Sequence, residues 1–210
     1  MSNEYKKSGL IFIVSAPSGA GKTSLVRELI KDRNDLRLSV SHTTRKSRKN
    51  EKNGVDYFFV TENEFLKMEN GQEFLETADV FGNKYGTSKK NIEQTISLGL
   101  NIILDIDWQG ARELKKSEFK SVSIFILPPT LKILNQRLRD RGDDPAEIKA
   151  RMNKAVTEIS HYREYDYVIT NEVFEDTVTV LDAIITSSHC CSSLHDQELK
   201  QSVAEIIENK

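Results

Sequence analysis

A short apolar run followed by a loop of small residues and then by a helical pattern constrains the fold more than any other feature of the chain. Residues 10–14 (Leu-Ile-Phe-Ile-Val) are rich in β-formers, which is typical of a strand buried in a parallel sheet. The loop after them contains serine, proline and glycine, and residues 23–31 carry apolar side chains at helical spacing. This succession predicts the opening unit of an α/β fold.

The loop matches the P-loop pattern, with Ala16 where the first glycine usually stands. Gly19 and Gly21 let backbone amides turn toward an anion without a Cβ in the way, and the following helix adds its positive end. Lys22 would reach the β- and γ-phosphates, and the Thr23 hydroxyl would bind Mg²⁺. The alternative is a glycine-rich turn that only joins strand to helix. We predict that ATP binds to Ala16, Pro17, Ser18, Gly19, Ala20, Gly21, Lys22, Thr23 and Ser24.

Strand and helix patterns alternate through much of the remaining chain. Further strands are predicted at residues 101–106, 122–127 and 167–170. Helices are predicted at residues 108–116, 130–139, 145–161 and 174–186, with another in the polar tail at 196–208. The alternation predicts an α/β fold with a P-loop NTPase-type parallel sheet flanked by helices.

Two segments break this alternation and divide the predicted single domain. Residues 39–92 open with a basic, polar stretch and then show strand, helix and strand patterns at 57–60, 62–70 and 74–81, with a tight turn at 82–84. We interpret them as an inserted α+β subdomain. Residues 136–155 are rich in arginine, contain Gly-Asp-Asp-Pro, and are typical of a small helical lid over anions. The core is then predicted at 1–38, 93–135 and 156–210.

The bulk composition of the 210 residues argues against several classes of protein. The net charge of −2 gives no overall attraction to nucleic acid, so an anionic ligand requires a local cationic cluster. No apolar stretch is long enough to span a membrane, and the first residues lack the apolar region of a signal peptide. The two cysteines, Cys190 and Cys191, are adjacent, which indicates free thiols and a cytoplasmic protein. With His189 and His195 they do not form a standard zinc pattern.

A second set of polar residues is suited to binding a phosphorylated acceptor. Arg45 and Arg48 are three residues apart, and two guanidinium groups at this spacing suit a phosphate dianion. The alternative is a solvated basic loop. Downstream, the chain offers phenols, hydroxyls and carboxylates at Tyr57, Glu76, Tyr85, Thr87, Asp105 and Asp107.

In this order and spacing, residues 9–183 closely resemble the guanylate kinase family. The resemblance is carried by APSGAGKTS, SVSHTTR, GVDYFFV, EFLE, YGTS, LDIDWQG, ILPPT, QRLRDRG and ARM. It implies a Mg²⁺-dependent enzyme that transfers a phosphoryl group from ATP to GMP or dGMP, either as a monomer or as a homodimer. It also implies GMP-binding roles for Ser41, Arg45, Arg48, Tyr57, Glu76, Tyr85, Thr87 and Asp107.

The resemblance implies further roles close to the phosphates. Lys22, Arg45, Arg137, Arg141 and Arg151 would be the catalytic cations, and the last three would close over ATP. Asp105 would act on Mg²⁺ through water, and Asn171 would lie near the adenine or ribose of ATP. As alternatives, the two aspartates could only cap a strand end, and the lid arginines could only solvate a helix face.

Glu76 has a physical reason to select guanine. Guanine presents N1–H and its 2-amino group as adjacent donors, and one carboxylate offers two matching acceptors. Adenine lacks this pair, so a buried carboxylate would be left unpaired and would disfavour it. Two alternatives stay open from sequence: a non-catalytic scaffold domain of the same fold, and a kinase of the same architecture with a different acceptor.

Overall fold

The structure is a computed structural model that describes residues 8–49, 51–80 and 82–208. The absence of a signal peptide was predicted mainly from residues 1–7, and Phe81 is the predicted end of a strand. Both predictions lie outside the described residues.

The strands of the described chain form a five-stranded and a four-stranded sheet. They are β1 (Ile11–Ser15), β2 (Leu36–Leu38), β3 (His42–Thr43), β4 (Phe58–Phe59), β5 (Phe74–Val80), β6 (Asn83–Ser88), β7 (Asn101–Asp105), β8 (Ser121–Leu127) and β9 (Tyr167–Thr170). The larger sheet has the order β2-β7-β1-β8-β9 with parallel neighbours throughout. The smaller has the order β4-β3-β6-β5, in which β6 runs antiparallel to β3 and β5.

Helices follow or separate these strands. They are α1 (Lys22–Lys31), α2 (Glu62–Asn70), α3 (Lys89–Ser97), α4 (Trp108–Leu114), α5 (Leu131–Asp140), α6 (Pro145–Ser160), α7 (Phe174–Ser188) and α8 (Asp196–Glu208). Several begin at the polar residues that favour helix starts: the Thr61, Asp107, Thr130 and Asp144 side chains all accept backbone N–H groups of the first turn.

The central strand β1 organises the core because it is buried along its whole length. Successive side chains of a strand point to opposite faces. Phe12 therefore packs with Leu25 and Leu181, from α1 and α7, in one apolar cluster. Ile13 packs with Leu114, from α4, in the cluster on the other face. The sheet is covered by helices on both sides, as an all-parallel sheet requires.

The parallel register brings the carboxyl ends of β1 and β7 to one edge of the sheet. Val14 lies beside Asp105, so the loop after β1 and the aspartates after β7 start from neighbouring positions. β7 lies on one side of β1 and β8 on the other, so the order of the strands reverses direction at β1. Ligands of open parallel sheets bind in the crevice at such a reversal.

The predicted fold class is confirmed: a parallel sheet flanked by helices carries a smaller sheet formed by residues between 42 and 88. The predicted strands and helices are present, with ends shifted by two residues at most. Strands β2, β3 and β6 and helix α3 were not predicted, and β6 begins at Asn83, inside the turn predicted at 82–84. The division into core, insert and lid remains a prediction. No helix among the described residues combines the length and apolar character needed to cross a membrane.

Candidate active site

A cleft of about 1110 Å³ lies at the carboxyl edge of the larger sheet and extends to the smaller one. It brings together most of the predicted site residues. Those that line it are Ala16, Pro17, Ser18, Gly19, Gly21, Lys22, Thr23, Ser24, Ser41, Arg45, Arg48, Tyr57, Glu76, Tyr85, Asp105, Asp107, Arg137, Arg141 and Arg151. Ala20, Thr87 and Asn171 lie behind this surface, where each is at least 97% buried.

The loop between β1 and α1 has the backbone shape that its glycines allow. Gly19 and Gly21 have φ angles of 94° and 97°, in the left-handed region that side chains disfavour. The Ala20 amide donates to the Pro17 carbonyl at 3.0 Å, which closes the turn. A Cβ on Gly21 would lie 2.5 Å from Asn171 Nδ2, so close packing also requires glycine there.

Lys22 lies between the loop and the end of β7. Its Nζ forms an ion pair with Asp105 and lies 3.4 Å from the Ile106 carbonyl oxygen. Ser15 donates to the same carbonyl at 2.7 Å. Because about a sixth of the Lys22 side chain is exposed (17%), its ammonium group can reach an anion in the cleft.

The carbonyl of Ala20 accepts two side-chain donors from distant segments. Asn171 Nδ2 donates to it at 2.7 Å, and Arg137 Nη1 donates at 3.3 Å. Arg137 also donates to the Asn171 carbonyl at 3.1 Å. Asn171 thus stabilises the loop from the side that faces away from the cleft. It is not among the residues that line the cleft.

The arginines of α5 and α6 are held by carboxylates near the loop. Arg141 Nε donates to Asp143 Oδ1 at 2.9 Å, and this hydrogen bond is the main reason that the Asp143 pKa is below its ordinary value. Arg151 Nε lies 3.4 Å from Asp143 Oδ2, and its Nη1 donates to Ser18 Oγ at 2.9 Å. Arg141 and Arg151 therefore share Asp143, and Arg151 also contacts the loop after β1.

On the side of the smaller sheet, Arg45 is surrounded by aromatic rings and a carboxylate. Its guanidinium lies 5.3 Å from the Tyr57 ring centroid and donates to Glu51 Oε1 at 2.9 Å. Arg48 is more exposed and lies 3.9 Å from the same carboxylate. Tyr57 and Tyr85 pack edge to face, and burial raises the pKa of Tyr57 to about 12, so its phenol stays a donor.

Glu76 is a buried carboxylate on β5, only 2% exposed. Thr87 Oγ1 donates to its Oε1 at 2.6 Å, as β5 and β6 pair side by side. Burial is the main reason that the pKa of Glu76 is raised to about 7; the Thr87 hydrogen bond opposes the shift, and the charges of Asp107 and Glu113 add to it. An ionised carboxylate here costs free energy unless a ligand supplies donors.

Asp107 is the N-cap of α4, and its oxygens are already well occupied. Oδ1 accepts the backbone N–H groups of Gln109 and Gly110 at 3.0 and 3.1 Å. Oδ2 accepts from the Gln109 side chain at 3.0 Å. The cap explains why an aspartate stands here, and any role in ligand binding is additional to it.

Glu158, a buried carboxylate in the cleft wall, was not predicted from the sequence. It is 9% exposed and its Oε1 lies 3.6 Å from Lys154 Nζ. Burial raises its pKa above the ordinary value, while Lys154, Lys22 and a Ser18 backbone hydrogen bond oppose that shift. Arg151 and Glu158 are seven residues apart, two turns on one face of α6. This spacing is the feature of the sequence that could have indicated that Glu158 lies on the same side of α6 as Arg151.

Comparisons with known proteins agree with this geometry. The family model described as guanylate kinase matches residues 8–188. The guanylate kinase of Rickettsia bellii is 51% identical over 181 residues, covering 86% of this chain and 95% of that protein. The guanylate kinase of Nitrosococcus oceani is 48% identical over 202 residues, covering 96% and 100%.

A solved structure gives the same result. The crystal structure of guanylate kinase from Anaplasma phagocytophilum has a TM-score of 0.72 and 39% identity, and the match covers 87% of each chain. The matched family region includes both sheets, the loop after β1 and the whole lining of the cleft. The chain therefore belongs to the guanylate kinase family.

Proposed function

We propose that this protein transfers the γ-phosphoryl group of ATP to GMP or dGMP and releases ADP and GDP or dGDP. Family membership supports this activity. The single observation that carries the choice of acceptor is the carboxylate of Glu76, buried in the wall of the same cleft as the P-loop. A buried carboxylate facing a ligand cleft suits a base that presents two adjacent donors.

In this proposal, ATP binds to the loop of residues 16–24 through its backbone amides, with Lys22 beside the β- and γ-phosphates. The amides are preorganised because Gly19 and Gly21 hold the left-handed conformation and Asn171 holds the Ala20 carbonyl. Preorganised donors stabilise developing charge without reorganisation during the reaction.

The Asn171→Ala variant tests how much the hydrogen bond from Asn171 to the Ala20 carbonyl contributes to ATP binding. We expect the KM for ATP to rise about threefold to tenfold and the free energy of unfolding to fall by about 1–2 kcal/mol, because the Ala20 carbonyl loses a buried donor. ATP titrations and urea denaturation would measure both. The matched control is Asn135→Ala, which removes only an exposed contact with Arg139. An unchanged KM for ATP would contradict the proposed support.

The acceptor phosphate would be bound by Arg45, Arg48, Tyr57 and Tyr85. Arg45 and Arg48 now share Glu51 as a partner, and the phosphate would compete with Glu51 for their donors. Charge-assisted hydrogen bonds from two guanidinium groups match a phosphate dianion. The acceptor's phosphate oxygen is itself the nucleophile, so no side chain has to act as a general base.

The remaining cations would act on the transferring group. Phosphoryl transfer spreads charge over the equatorial oxygens, and convergent cations stabilise it. Arg137, Arg141 and Arg151 lie on α5, at its end and on α6, and Arg151 already contacts Ser18 of the loop. Closure of residues 136–155 over the cleft would complete the cluster and exclude water, which would otherwise accept the phosphoryl group.

The residues at the mouth of the loop fit Mg²⁺. The Thr23 hydroxyl and the Asp105 carboxylate both line the cleft, and both are the hard oxygen donors that this ion prefers. Thr23 would bind the ion directly and Asp105 through water; Asp105 now pairs with Lys22. When bound, the ion neutralises phosphate charge. Nucleotide-bound Mg²⁺ usually takes only one or two protein ligands, with waters and phosphates completing the shell.

For the base, Glu76 would accept from N1–H and the 2-amino group of guanine, with Ser41 and Thr87 beside it. Thr87 fixes one carboxylate oxygen at 2.6 Å. Asp107, which lies near enough to raise the Glu76 pKa, would assist at the same end of the acceptor.

An ADP-release assay with GMP, dGMP, AMP, CMP and UMP tests the proposed function. We expect ADP to form with GMP and dGMP, and only at background rates with the other three. Comparable turnover with AMP or a pyrimidine nucleotide would refute the acceptor, and no turnover with any of them would refute the activity and favour a non-catalytic binding domain.

The KM for GMP should rise as the pH falls from 8 to 6. Since the pKa of Glu76 is raised to about 7, the protonated form increases across this range, and it offers one acceptor fewer. About one tenth of Glu76 stays ionised at pH 6, which predicts a rise of roughly tenfold. The GMP phosphate also titrates near this range, and the Glu76→Gln variant measures that contribution alone. An equally steep rise in both proteins would contradict the role of Glu76.

The proposed compartment is the cytoplasm. Cys190 and Cys191 are free and exposed, as expected for a chain kept in a reducing environment.

A further inference from the structure

The backbone of α4 lies directly against the carboxylate of Glu76. A Cβ placed on Gly110 would be 2.3 Å from Glu76 Oε2 and 3.0 Å from Glu76 Cδ. Real Cβ atoms do not approach so closely, so the observed position of this carboxylate requires that residue 110 have no side chain. The next contact of that Cβ, Ile106 Cβ at 3.4 Å, is ordinary packing.

The position of Gly110 is itself fixed from two directions. Its N–H donates to Asp107 Oδ1 at 3.1 Å in the first turn of α4. One turn later, Glu113 Oε2 accepts the Thr77 backbone N–H at 2.7 Å. Residues 110 and 113 of α4 therefore face the consecutive residues Glu76 and Thr77 of β5, and the helix cannot easily withdraw from the carboxylate.

The conformation of Gly110 does not need glycine. It lies within α4 and is not among the glycines with positive φ. Alanine favours a helix over glycine by up to about fivefold per residue in the folding equilibrium. Local backbone preference therefore argues for alanine at this position, and the contact with Glu76 is the feature that excludes it.

We propose that Gly110 is a specificity-determining positioning residue that holds the Glu76 carboxylate in the orientation required for guanine. With Thr87 on Oε1 and the bare Gly110 Cα against Oε2, the carboxylate has one orientation, in which its two oxygens face the two guanine donors. This inference rests on the proposed function, in which Glu76 recognises the acceptor base.

Gly110→Ala is the test. Because the crowded atoms are the far end of a flexible side chain, the added methyl group should displace the carboxylate and leave the backbone in place. We expect the KM for GMP to rise about tenfold or more through loss of a charge-assisted hydrogen bond. The KM for ATP should stay within about twofold, and Tm should change by only about 5 °C or less.

The matched control is Gly71→Ala. Gly71 ends α2 with a φ of −75°, and its Cβ would meet only moderate contacts at 3.2 Å, outside the cleft. Both KM values should be unchanged in this variant. If Gly110→Ala leaves the KM for GMP within twofold of wild type, or raises both KM values together, the inference is overturned.

A double-mutant cycle with Glu76→Asp shows whether the effect of Gly110→Ala on GMP arises from its contact with the Glu76 carboxylate. The shorter aspartate withdraws the carboxylate from position 110, so Gly110→Ala should cost less than about twofold in kcat/KM for GMP in that background. An equal cost in both backgrounds would overturn the inference. If Gly110→Ala alone does not fold, Glu76→Asp must restore folding, and failure to do so would also overturn it.

The wild-type protein separates this inference from the proposed function. If the wild type turns over GMP and Gly110→Ala has the same KM for GMP, the role of Gly110 is refuted and the proposed activity stands. Absence of GMP turnover in the wild type would remove both.

Discussion

Lys22→Ala is expected to lower kcat by at least about a thousandfold while the protein stays folded. Removal of one preorganised transition-state donor or cation typically has an effect of this size. Lys22 Nζ lies beside Asp105 and the Ile106 carbonyl in the cleft, and in the proposed complex it is the loop's own cation next to the transferring group. The KM for ATP should change much less, because the backbone amides of the loop remain. An ADP-release assay with saturating GMP measures kcat.

Lys31→Ala is the matched control for that variant. Lys31 is on the same helix, is largely exposed, and pairs with Glu28 one turn earlier, so its loss should leave turnover unchanged. Thermal unfolding should show both variants folded. Asp105 loses a partner in Lys22→Ala, but it is 26% exposed and water can solvate it. A kcat within tenfold of wild type would refute the role of Lys22.

Glu76→Gln is expected to lower kcat/KM for GMP by about a hundredfold or more, with the KM for ATP nearly unchanged. The amide has almost the shape of the carboxylate, so Thr87 can still donate to its oxygen. Its NH₂ group, however, would face a guanine donor. The same assay measures kcat/KM for GMP when the GMP concentration is varied, and the KM for ATP when the ATP concentration is varied. If both constants changed by the same factor, Glu76 would not be the group that recognises the base.

The same substitution should stabilise the protein at neutral pH. Burial raises the Glu76 pKa from 4.5 to about 7, so between these values the folded state keeps a proton that the unfolded state has lost. Stability of the wild type therefore falls as the pH rises through this window, by up to about 3 kcal/mol. Neutral glutamine avoids this penalty, and its advantage should be large at pH 8 and small near pH 4.5.

Urea denaturation at those two pH values measures the advantage. Glu93→Gln, which changes an exposed carboxylate on α3, should show no comparable gain. An advantage of Glu76→Gln that does not depend on pH would show that ionisation of Glu76 is not its cause. A more stable and less active variant would indicate that the buried charge is retained for recognition, at the expense of stability.

The features that could be predicted from the sequence are those that depend on residues close together in the chain. The strand, loop and helix around Lys22 follow from local spacing, and their backbone has the expected glycine conformations. The missed strands β2 and β3 have three and two residues, too few for a period to show. The missed strand β6 is longer, but its sequence NKYGTS shows no apolar alternation, and its first residues follow Gly82 in a pattern typical of a turn. Helix α3 begins after Ser88, a residue that favours helix starts, but Ile92 is the one buried residue within it, so its apolar period is weak.

The features that the sequence could not predict depend on packing between distant segments. Asn171 was predicted to contact ATP, and the structure shows its amide on the back of the loop, at the Ala20 carbonyl. Its direct contact with ATP stays a prediction. Glu158 and Gly110 look ordinary in sequence, as a charged helix residue and a helical glycine. Their significance depends on which atoms α6 and α4 bring beside them.

The fastening of β5 to α4 has a consequence for how the acceptor site can move. β5 is one edge of the smaller sheet and is bound to α4 through Thr77 and Glu113. The opposite edge, β4, lies next to Asp56, which pairs with the exposed Arg27, and such a pair is worth about 1 kcal/mol or less. A rigid rotation of this sheet would therefore use β5 as its axis. The base end of a bound nucleotide would stay almost still, while its phosphate end would travel along the wider arc toward ATP.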